Sequence, residues 1–188
     1  ADAGIEAWEL SYIEAHGTGT AIGDPIELGS LKSVAANGRN PDDQCWIGSV
    51  KSNIGHLEAA SGIASLIKVI MSTRQGIIPP NLHYHTPTPH VPLDDAPIAI
   101  PTRQQPWPEA KRRLAGISSF GFGGTNAHLI VEEAPVRRKA APLQNRPFHI
   151  LTLSAKSDAA LRELADRYSR KLSEHPDIDV ADLCYSAN

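Results

Sequence analysis

The chain has 188 residues, of which 41% are hydrophobic and 21% charged, a composition typical of a globular protein rather than a disordered one. Its formal net charge of −3 excludes a general affinity for nucleic acid or anionic membranes, because a phosphate-binding surface needs excess Lys and Arg. Polar residues interrupt the longest apolar run, residues 63–71, and no basic-then-apolar leader opens the sequence. We therefore expect a cytoplasmic protein without nucleic-acid or membrane partners.

The first predicted unit is a strand, a glycine-rich turn and a helix. Residues 11–15 have strand character, and His16 opens the turn behind them. Asp24 followed by Pro25 is typical of a helix N-cap and its first turn. Apolar residues then recur near helical spacing up to residue 36, which predicts that the helix ends there.

The second predicted unit repeats this order. Residues 46–50 predict a buried strand, residues 51–56 a turn that carries Lys51 and His56, and residues 57–74 a helix with almost no polar face. Small residues in the first half of this helix permit close approach of neighbouring backbone. We expect a central helix that is covered on most sides.

The middle of the chain is rich in proline. Residues 77–108 contain most of the prolines and predict an ordered connection over the surface, with one short strand at 98–100. Residues 113–119 and 127–133 are strand-like and lie on either side of a glycine-rich turn. This arrangement predicts a hairpin at the sheet.

A change in composition near residue 134 predicts a linker followed by a smaller unit. Residues 148–154 predict a strand, and Ser157 is a candidate N-cap for a helix that ends near residue 173. Asp179 is a candidate cap for a short helical turn near residues 181–185. The predicted organisation is one domain over residues 1–134, a linker over 135–147 and a partial, small α/β domain over 148–188.

Cysteine and histidine spacings give no indication of a metal centre. Cys45 and Cys184 are far apart, show no CxxC spacing and have no basic neighbours, so we expect two inert thiols in a reduced protein. Three histidines have metal-like spacing but lie in the proline-rich segment. These residues are His83, His85 and His90. We therefore predict no metal.

Two histidines follow strands at equivalent positions of the first two units. If those strands are neighbours in one parallel sheet, His16 and His56 open into a common cavity, because carboxyl ends of parallel strands meet at one edge. Two imidazole N–H groups could then bind a single oxygen, which suits stabilisation of an enolate or thioester oxyanion rather than the action of one base. The alternative for each histidine alone is an ordinary structural role.

Three further groups belong to the candidate site, each with a structural alternative. Lys51 is either a surface lysine or a charge that orients a partner or keeps the neighbouring imidazole neutral, with Glu14 or Glu58 as a candidate counter-ion. The hydroxyls of Thr18 and Thr20 either stabilise their turn or bind an amide-bearing ligand arm. The glycines of the third turn either form the hairpin or present backbone N–H groups to a reacting oxygen. These glycines are Gly121, Gly123 and Gly124.

Three motifs together resemble those of a known enzyme family. They are EAHGTGT at residues 14–20 with GDPIE at 23–27, GSVKSNIGH at 48–56, and SSFGFGGTNAH at 118–128. The chain resembles the C-terminal half of a β-ketoacyl synthase domain from a modular type I polyketide synthase. Its last part, from about residue 147, resembles the linker that leads toward an acyltransferase. The resemblance implies an α/β fold, the second βαβαβ half of a thiolase-like architecture.

The resemblance also implies an activity and a role for each site residue. The activity is decarboxylative Claisen condensation between an acyl-cysteine and a malonyl group on an acyl carrier protein. By resemblance, His16 and His56 would bind the malonyl thioester oxygen, and Lys51 would hold the histidine network. No cofactor would bind directly, because the carrier protein presents the phosphopantetheine. Substrate and pantetheine binding would fall to Thr18, Thr20, Phe120, Gly121 and Gly123, and the oxyanion-hole N–H to Phe122.

One part of the family's catalytic apparatus is missing from the sequence. The nucleophilic cysteine belongs to the N-terminal half of the domain, and neither Cys45 nor Cys184 occupies a matching position. We therefore expect an incomplete enzyme that needs a cysteine-bearing N-terminal half, an acyl carrier protein and, in the intact enzyme, a second copy, with a downstream acyltransferase domain as a further partner. Two alternatives stay open: a non-catalytic module that docks or gates carrier-bound chains, and a scaffold for the acyltransferase that rests on residues 147–188.

Overall fold

The computed structural model describes residues 2–86, 88–108, 112–135 and 148–188. The chain divides into two compact units, Ala1–Pro135 and Val136–Asn188. Apart from Pro135, the predicted linker lies outside the described residues. Within the described ranges, no helix combines the length and the apolar character that crossing a membrane requires.

A five-stranded sheet forms the centre of the first unit. In spatial order its strands are β4 (Ile98–Ala99), β2 (Cys45–Gly48), β1 (Tyr12–Glu14), β6 (Leu114–Phe120) and β7 (Asn126–Glu132). The first four strands run parallel, and β7 pairs with β6 in antiparallel orientation. The predicted parallel strand pair and the predicted hairpin are therefore confirmed.

Two short strands in the proline-rich segment were not predicted. They are β3 (Ile77–Ile78) and β5 (Gln105–Pro106), which pair with each other in antiparallel orientation. Each strand of this ribbon has only two residues. That is too short for an alternation of apolar and polar residues to predict it.

The described part of the first unit contains three α-helices: α1 (Gly23–Ala35), α2 (Lys51–Ile54) and α3 (Ser61–Gln75). The turn predicted over residues 51–56 is therefore wrong in part, because it contains the single helical turn α2. Gly55 ends this turn at φ +74°, a left-handed conformation that favours glycine. A 3-10 turn, Glu58–Ala60, precedes α3 and replaces the predicted first turn of that helix.

Asp24 does not cap α1 as predicted, because the helix begins one residue before it. The Asp24 carboxylate instead accepts the N–H groups of Gly19 and Thr20 at 3.0 and 3.3 Å. The residue therefore stabilises the glycine-rich turn that follows His16.

The sheet buries apolar side chains on both faces. One cluster contains Ile13 and Ile47 with Leu28 and Leu31 of α1 packed against it. The other contains Tyr12 with Val69 of α3. Since successive strand residues point to opposite faces, α1 covers one face of the sheet and α3 the other.

Helix α3 buries only one side, so the prediction of a helix covered on most sides is wrong for the described chain. The buried residues of the helix are Ser61, Ser65, Val69, Ser72 and Thr73, whereas Ile63, Ile67, Ile70 and Met71 are exposed. Small residues do allow close packing, as predicted. A Cβ atom on Gly62 would lie 3.2 Å from Ser119 Oγ, tighter than an ordinary contact.

The described part of the second unit contains two helices, α4 (Asp158–Glu174) and α5 (Val180–Ala187). Both predicted caps are confirmed. Ser157 Oγ accepts the N–H of Ala160 at 3.3 Å, and Asp179 Oδ1 accepts the N–H of Ala181 at 2.7 Å.

The strand predicted over residues 148–154 is absent from the described structure of the second unit. The side chain of Asn188 takes the place of a strand partner. Its Oδ1 accepts the N–H of Thr152 at 2.9 Å, and its Nδ2 donates to the carbonyl oxygen of Ile150 at 2.7 Å. Residues 148–188 are therefore helical where described, rather than α/β as predicted.

Candidate active site

The three glycine-containing motifs meet at one edge of the sheet. Strands β1, β2 and β6 are parallel, and β1 lies between the other two, so their carboxyl ends are side by side. His16 follows β1, Lys51 and His56 follow β2, and Phe120 ends β6. The fold thus brings together residues that are up to 104 positions apart in sequence.

The two imidazoles are in contact. Their ring centroids are 5.4 Å apart, and the ring planes are nearly perpendicular at 87°. The ring of Phe120 packs against His16 at a centroid distance of 5.3 Å. His16 is half-buried and His56 is exposed in the described chain.

Main-chain N–H groups bind the Nδ1 atom of both rings. Glu58 N–H donates to His56 Nδ1 at 3.0 Å, and Phe120 N–H donates to His16 Nδ1 at 3.4 Å. A ring nitrogen that accepts a hydrogen bond carries no proton, so these bonds assign the proton of each neutral imidazole to Nε2. Each ring therefore offers one Nε2–H donor.

The residue that donates to His56 has an uncommon backbone conformation. Glu58 has φ +49°, in the left-handed region that residues with a side chain rarely adopt. Such a conformation costs roughly 1–3 kcal/mol and is found most often at functional sites. Here it occurs at the residue whose main-chain N–H binds the imidazole.

Glu27 of α1 holds the loop that carries His16. Its two carboxylate oxygens accept the N–H groups of His16 and Gly17 at 2.7 and 2.9 Å. Burial raises the pKa of Glu27 in spite of these two bonds. The sequence did not lead us to predict a role for Glu27. Its place between the apolar residues Ile26 and Leu28 of a helix was a signal that could have indicated a buried carboxylate.

Electrostatics keep the His16 imidazole neutral. Partial burial lowers its pKa below the ordinary value of 6.5, and the positive charge of Lys51 lowers it further. The other ring, His56, acts in the same direction, and Asp24 opposes it. At pH 7 the His16 ring therefore carries a single proton.

Lys51 is half-buried at the start of α2. Burial lowers its pKa, and the negative charges of Glu14 and Glu27 act against this shift. None of the described carboxylates forms an ion pair with Lys51. Of the two predicted counter-ions, Glu14 pairs with Lys68 instead, at 2.7 Å.

A cavity of about 250 Å³ lies beside these loops. Lys51, Glu27, Thr18 and Asn81 contribute polar groups to its wall, together with apolar residues of α1 and β2. Neither imidazole lines this cavity, so it is not the common cavity predicted for the two histidines.

The two threonines differ in their contacts. Thr20 Oγ1 accepts the N–H of Gly23 at 3.0 Å, which matches the structural alternative of turn stabilisation. The Thr18 hydroxyl forms no hydrogen bond with any described residue and faces the cavity. Thr18 is therefore the better placed of the two to bind a ligand.

The third turn is closed by its own main chain. Gly121 N–H donates to the carbonyl oxygen of Thr125 at 2.7 Å, so this group is already occupied. The side chain of Phe122 is fully exposed, and its N–H has no partner among the described residues. A Cβ on Gly123 would meet no atom within 4 Å, which leaves the space beside the turn open.

Neither cysteine belongs to the three motifs that carry these groups. Cys45 is buried at the opposite end of β2 from Lys51, and Cys184 is buried in α5. Among the described residues, no group of three or more His, Cys, Asp or Glu side chains could hold a metal ion.

Two family profiles match adjoining parts of the chain. Residues 1–85 match the family described as the C-terminal domain of β-ketoacyl synthase. Residues 87–188 match the family described as the ketoacyl-synthetase C-terminal extension.

Curated relatives of the chain are polyketide synthases. Erythronolide synthase EryA2 of Saccharopolyspora erythraea is 46% identical over 181 residues, which are 95% of this chain and 5% of that protein. The highly reducing polyketide synthase AFT9-1 of Alternaria alternata is 45% identical over 186 residues, 98% of this chain and 6% of that protein. The chain thus spans only a small part of the relatives it matches.

Solved ketosynthase structures share the fold. The ketosynthase from module 1 of the bacillaene synthase of Bacillus amyloliquefaciens FZB42 is 38% identical, with a TM-score of 0.70 over 99% of this chain and 34% of that one. The ketosynthase from module 6 of the Bacillus subtilis 168 bacillaene synthase has a TM-score of 0.67, over 98% of this chain and 32% of that one.

Fold and motifs together define a thiolase-like α/β protein of the condensing-enzyme class. Within that class, the chain belongs to the β-ketoacyl synthase family, as the C-terminal part of a ketosynthase of the modular type I polyketide synthases with its C-terminal extension.

Proposed function

We propose that this chain supplies the enolate-stabilising half of a ketosynthase active site that extends a polyketide. The observation that carries the proposal is the pair of oriented donors. Both imidazoles accept a main-chain N–H at Nδ1, and their rings are 5.4 Å apart. Two preorganised N–H groups on one oxygen stabilise a developing oxyanion without reorganisation during the reaction.

The reaction begins with loss of carbon dioxide from a malonyl thioester. The bond to the carboxylate carbon breaks, and its electron pair passes into the thioester carbonyl, which becomes an enolate. The Nε2–H groups of His16 and His56 bind the enolate oxygen. The enolate carbon then attacks an acyl-cysteine thioester, a carbon–carbon bond forms, and the cysteine thiolate leaves.

Lys51 acts on this step through charge. Its ammonium lowers the pKa of His16, which keeps that imidazole neutral and its Nδ1 free to accept the Phe120 N–H. The Phe122 N–H, which no described residue accepts, is proposed to contribute to the oxyanion hole for the acyl thioester. Thr18, with Thr20, Phe120, Gly121 and Gly123, would bind the phosphopantetheine arm and the acyl chain.

The partners follow from the same proposal. The nucleophilic cysteine would come from an N-terminal ketosynthase half, since Cys45 lies at the opposite end of β2 from Lys51 and Cys184 belongs to none of the three motifs. An acyl carrier protein would present the malonyl group, the intact enzyme would be a homodimer, and an acyltransferase domain would follow. The domain limits, 1–134 and 148–188 with a linker between them, and the cytoplasmic location stay predictions.

Substitution of one histidine tests the proposal. In a polypeptide that contains both halves of the ketosynthase fold, His56→Ala is expected to lower kcat for malonyl decarboxylation by about 10²- to 10³-fold, the usual effect of losing one oxyanion donor. Binding of the carrier protein should not change, because the imidazole contacts the thioester and not the carrier. Release of carbon dioxide and carrier titration measure the two effects.

His90→Ala provides a matched control, because His90 is an exposed histidine of the proline-rich segment. It should leave both measurements unchanged. Unchanged decarboxylation in His56→Ala would instead support the alternative of a docking or gating module, which needs no imidazole at this position.

A further inference from the structure

A buried carboxylate lies beneath the two histidine loops. Glu14 is the last residue of β1, and its side chain is fully buried. Acidic side chains are almost never fully buried unless they are paired, because the carboxylate loses its hydration. The partners of Glu14 therefore indicate what the residue does.

The two oxygens of Glu14 bind different parts of the site. Oε1 accepts the main-chain N–H of Val50, at the start of α2, at 2.5 Å. Oε2 accepts the Tyr12 hydroxyl at 2.5 Å and the Lys68 ammonium at 2.7 Å. Lys68 belongs to α3, the helix that follows His56.

Tyr12 and Lys68 hold the carboxylate in place. The Lys68 ammonium also donates to the Tyr12 hydroxyl at 2.8 Å, so the three groups form a closed triangle. Burial and the negative charge of Glu14 keep the pKa of Tyr12 well above its usual range, and the phenol therefore retains the proton that it donates. One positive and one negative charge leave the cluster neutral.

A single side chain thus connects β1, the start of α2 and α3, which flank the catalytic groups in sequence. Strand β1 leads into His16, Val50 leads directly into Lys51, and α3 begins five residues after His56. A shift of any of these elements changes the separation of the two rings. Misplacement of a reacting group by about 1 Å lowers a rate by as much as 10²-fold.

We propose that Glu14 is a positioning residue that sets the separation of the His16 and His56 rings, with Lys68 and Tyr12 as its supports. This inference rests on the proposed function, because ring separation matters only if both imidazoles bind one oxygen. Glu14 contacts no substrate in this role. It acts through the main chain of Val50 and through the ion pair with α3.

Three double variants, made in a polypeptide that contains both halves of the fold, test the role. Glu14→Leu with Lys68→Met removes both charges and every hydrogen bond of the carboxylate. Glu14→Gln with Lys68→Met removes the charges but keeps an amide oxygen that can accept the Val50 N–H. Neither leaves a lone buried charge, which would itself unfold the protein. Glu132→Gln with Arg112→Met removes an exposed ion pair and is the control.

We expect all three variants to be folded at the assay temperature, with a lower thermal midpoint for E14L/K68M alone, because the buried Val50 N–H and Tyr12 hydroxyl lose their acceptor in that variant. Only E14L/K68M should lose kcat for malonyl decarboxylation, by about tenfold or more, with KM within about twofold of the parent. The ¹⁵N shifts of the two histidine rings should change in that variant alone. E14Q/K68M and the control should stay within about threefold of the parent kcat.

Parental kcat in E14L/K68M would overturn the positioning role, as would unchanged ¹⁵N shifts of both histidine rings in that variant. Failure of the proposed function has a different signature, which is full decarboxylation by His56→Ala in the parent background. In that case the ¹⁵N shifts of E14L/K68M still decide whether Glu14 holds the rings.

Discussion

Each histidine is held by hydrogen bonds that involve the main chain. The His16 main chain binds the Glu27 carboxylate, and its ring accepts an N–H from the end of β6. The His56 ring accepts an N–H from Glu58, two residues away, in a strained conformation. The orientation of the His16 ring therefore depends on distant residues, whereas the orientation of the His56 ring depends on its own turn.

The charge of Lys51 can be tested through the pH dependence of the reaction. Because Lys51 lowers the pKa of His16, Lys51→Met should raise that pKa. A higher pKa means that His16 becomes protonated at a higher pH, so the acidic limb of the kcat profile for decarboxylation should move to higher pH. Lys156→Met, which changes an exposed lysine of the second unit, should leave the limb in place.

A limb that stays fixed or moves to lower pH in Lys51→Met would show that Lys51 does not act on His16 through charge. The limb position reports this even if the maximal rate also falls, since a change in rate alone moves the whole profile downward.

Sequence patterns could predict which residues gather at the site but not how they pair. The placement of His16, His56 and Lys51 followed from parallel strands that share an edge. The ion pair of Glu14 with Lys68 could not be predicted, because Lys68 appeared only as an interruption of an apolar run. Pairing depends on the distance between elements, and a single sequence does not contain that distance.

At the scale of elements, long periodic segments were predictable and short ones were not. The sheet order around β1 and the β6–β7 hairpin follow from hydrophobic pattern and turn chemistry. The turn α2 and the β3–β5 ribbon depend on a few main-chain hydrogen bonds, which leave no periodicity. The apolar run at residues 148–154 looked like a strand, but the Asn188 side chain satisfies its backbone instead.

The exposed side of α3 gives a prediction at this scale. Ile67 is 56% exposed on a helix whose opposite side packs on the sheet. We expect the N-terminal half of the ketosynthase to cover this side. In a polypeptide with both halves, Ile67→Glu should then lower the free energy of unfolding by about 3 kcal/mol or more, because it removes a buried Ile and introduces an unpaired charge.

Urea unfolding measures this effect. Gln75→Glu, at the exposed end of the same helix, is the control and should change stability by no more than about 0.5 kcal/mol. If Ile67→Glu were equally mild, the apolar side of α3 would be a solvent-facing surface and not a covered one.

At the scale of the whole molecule, the chain corresponds to about a third of the ketosynthases that it resembles. The described first unit holds both imidazoles, Lys51 and the buried groups that position them, but no cysteine at the site. This division predicts that the oxygen-binding and nucleophilic functions of the active site belong to different parts of the ketosynthase.

A structure of the two-half protein with a non-hydrolysable malonyl thioester analogue tests the central claim most directly. We predict that the thioester oxygen lies within hydrogen-bond distance, about 2.7–3.2 Å, of Nε2 on both His16 and His56. An analogue oxygen bound to one ring only, or to neither, would contradict the account.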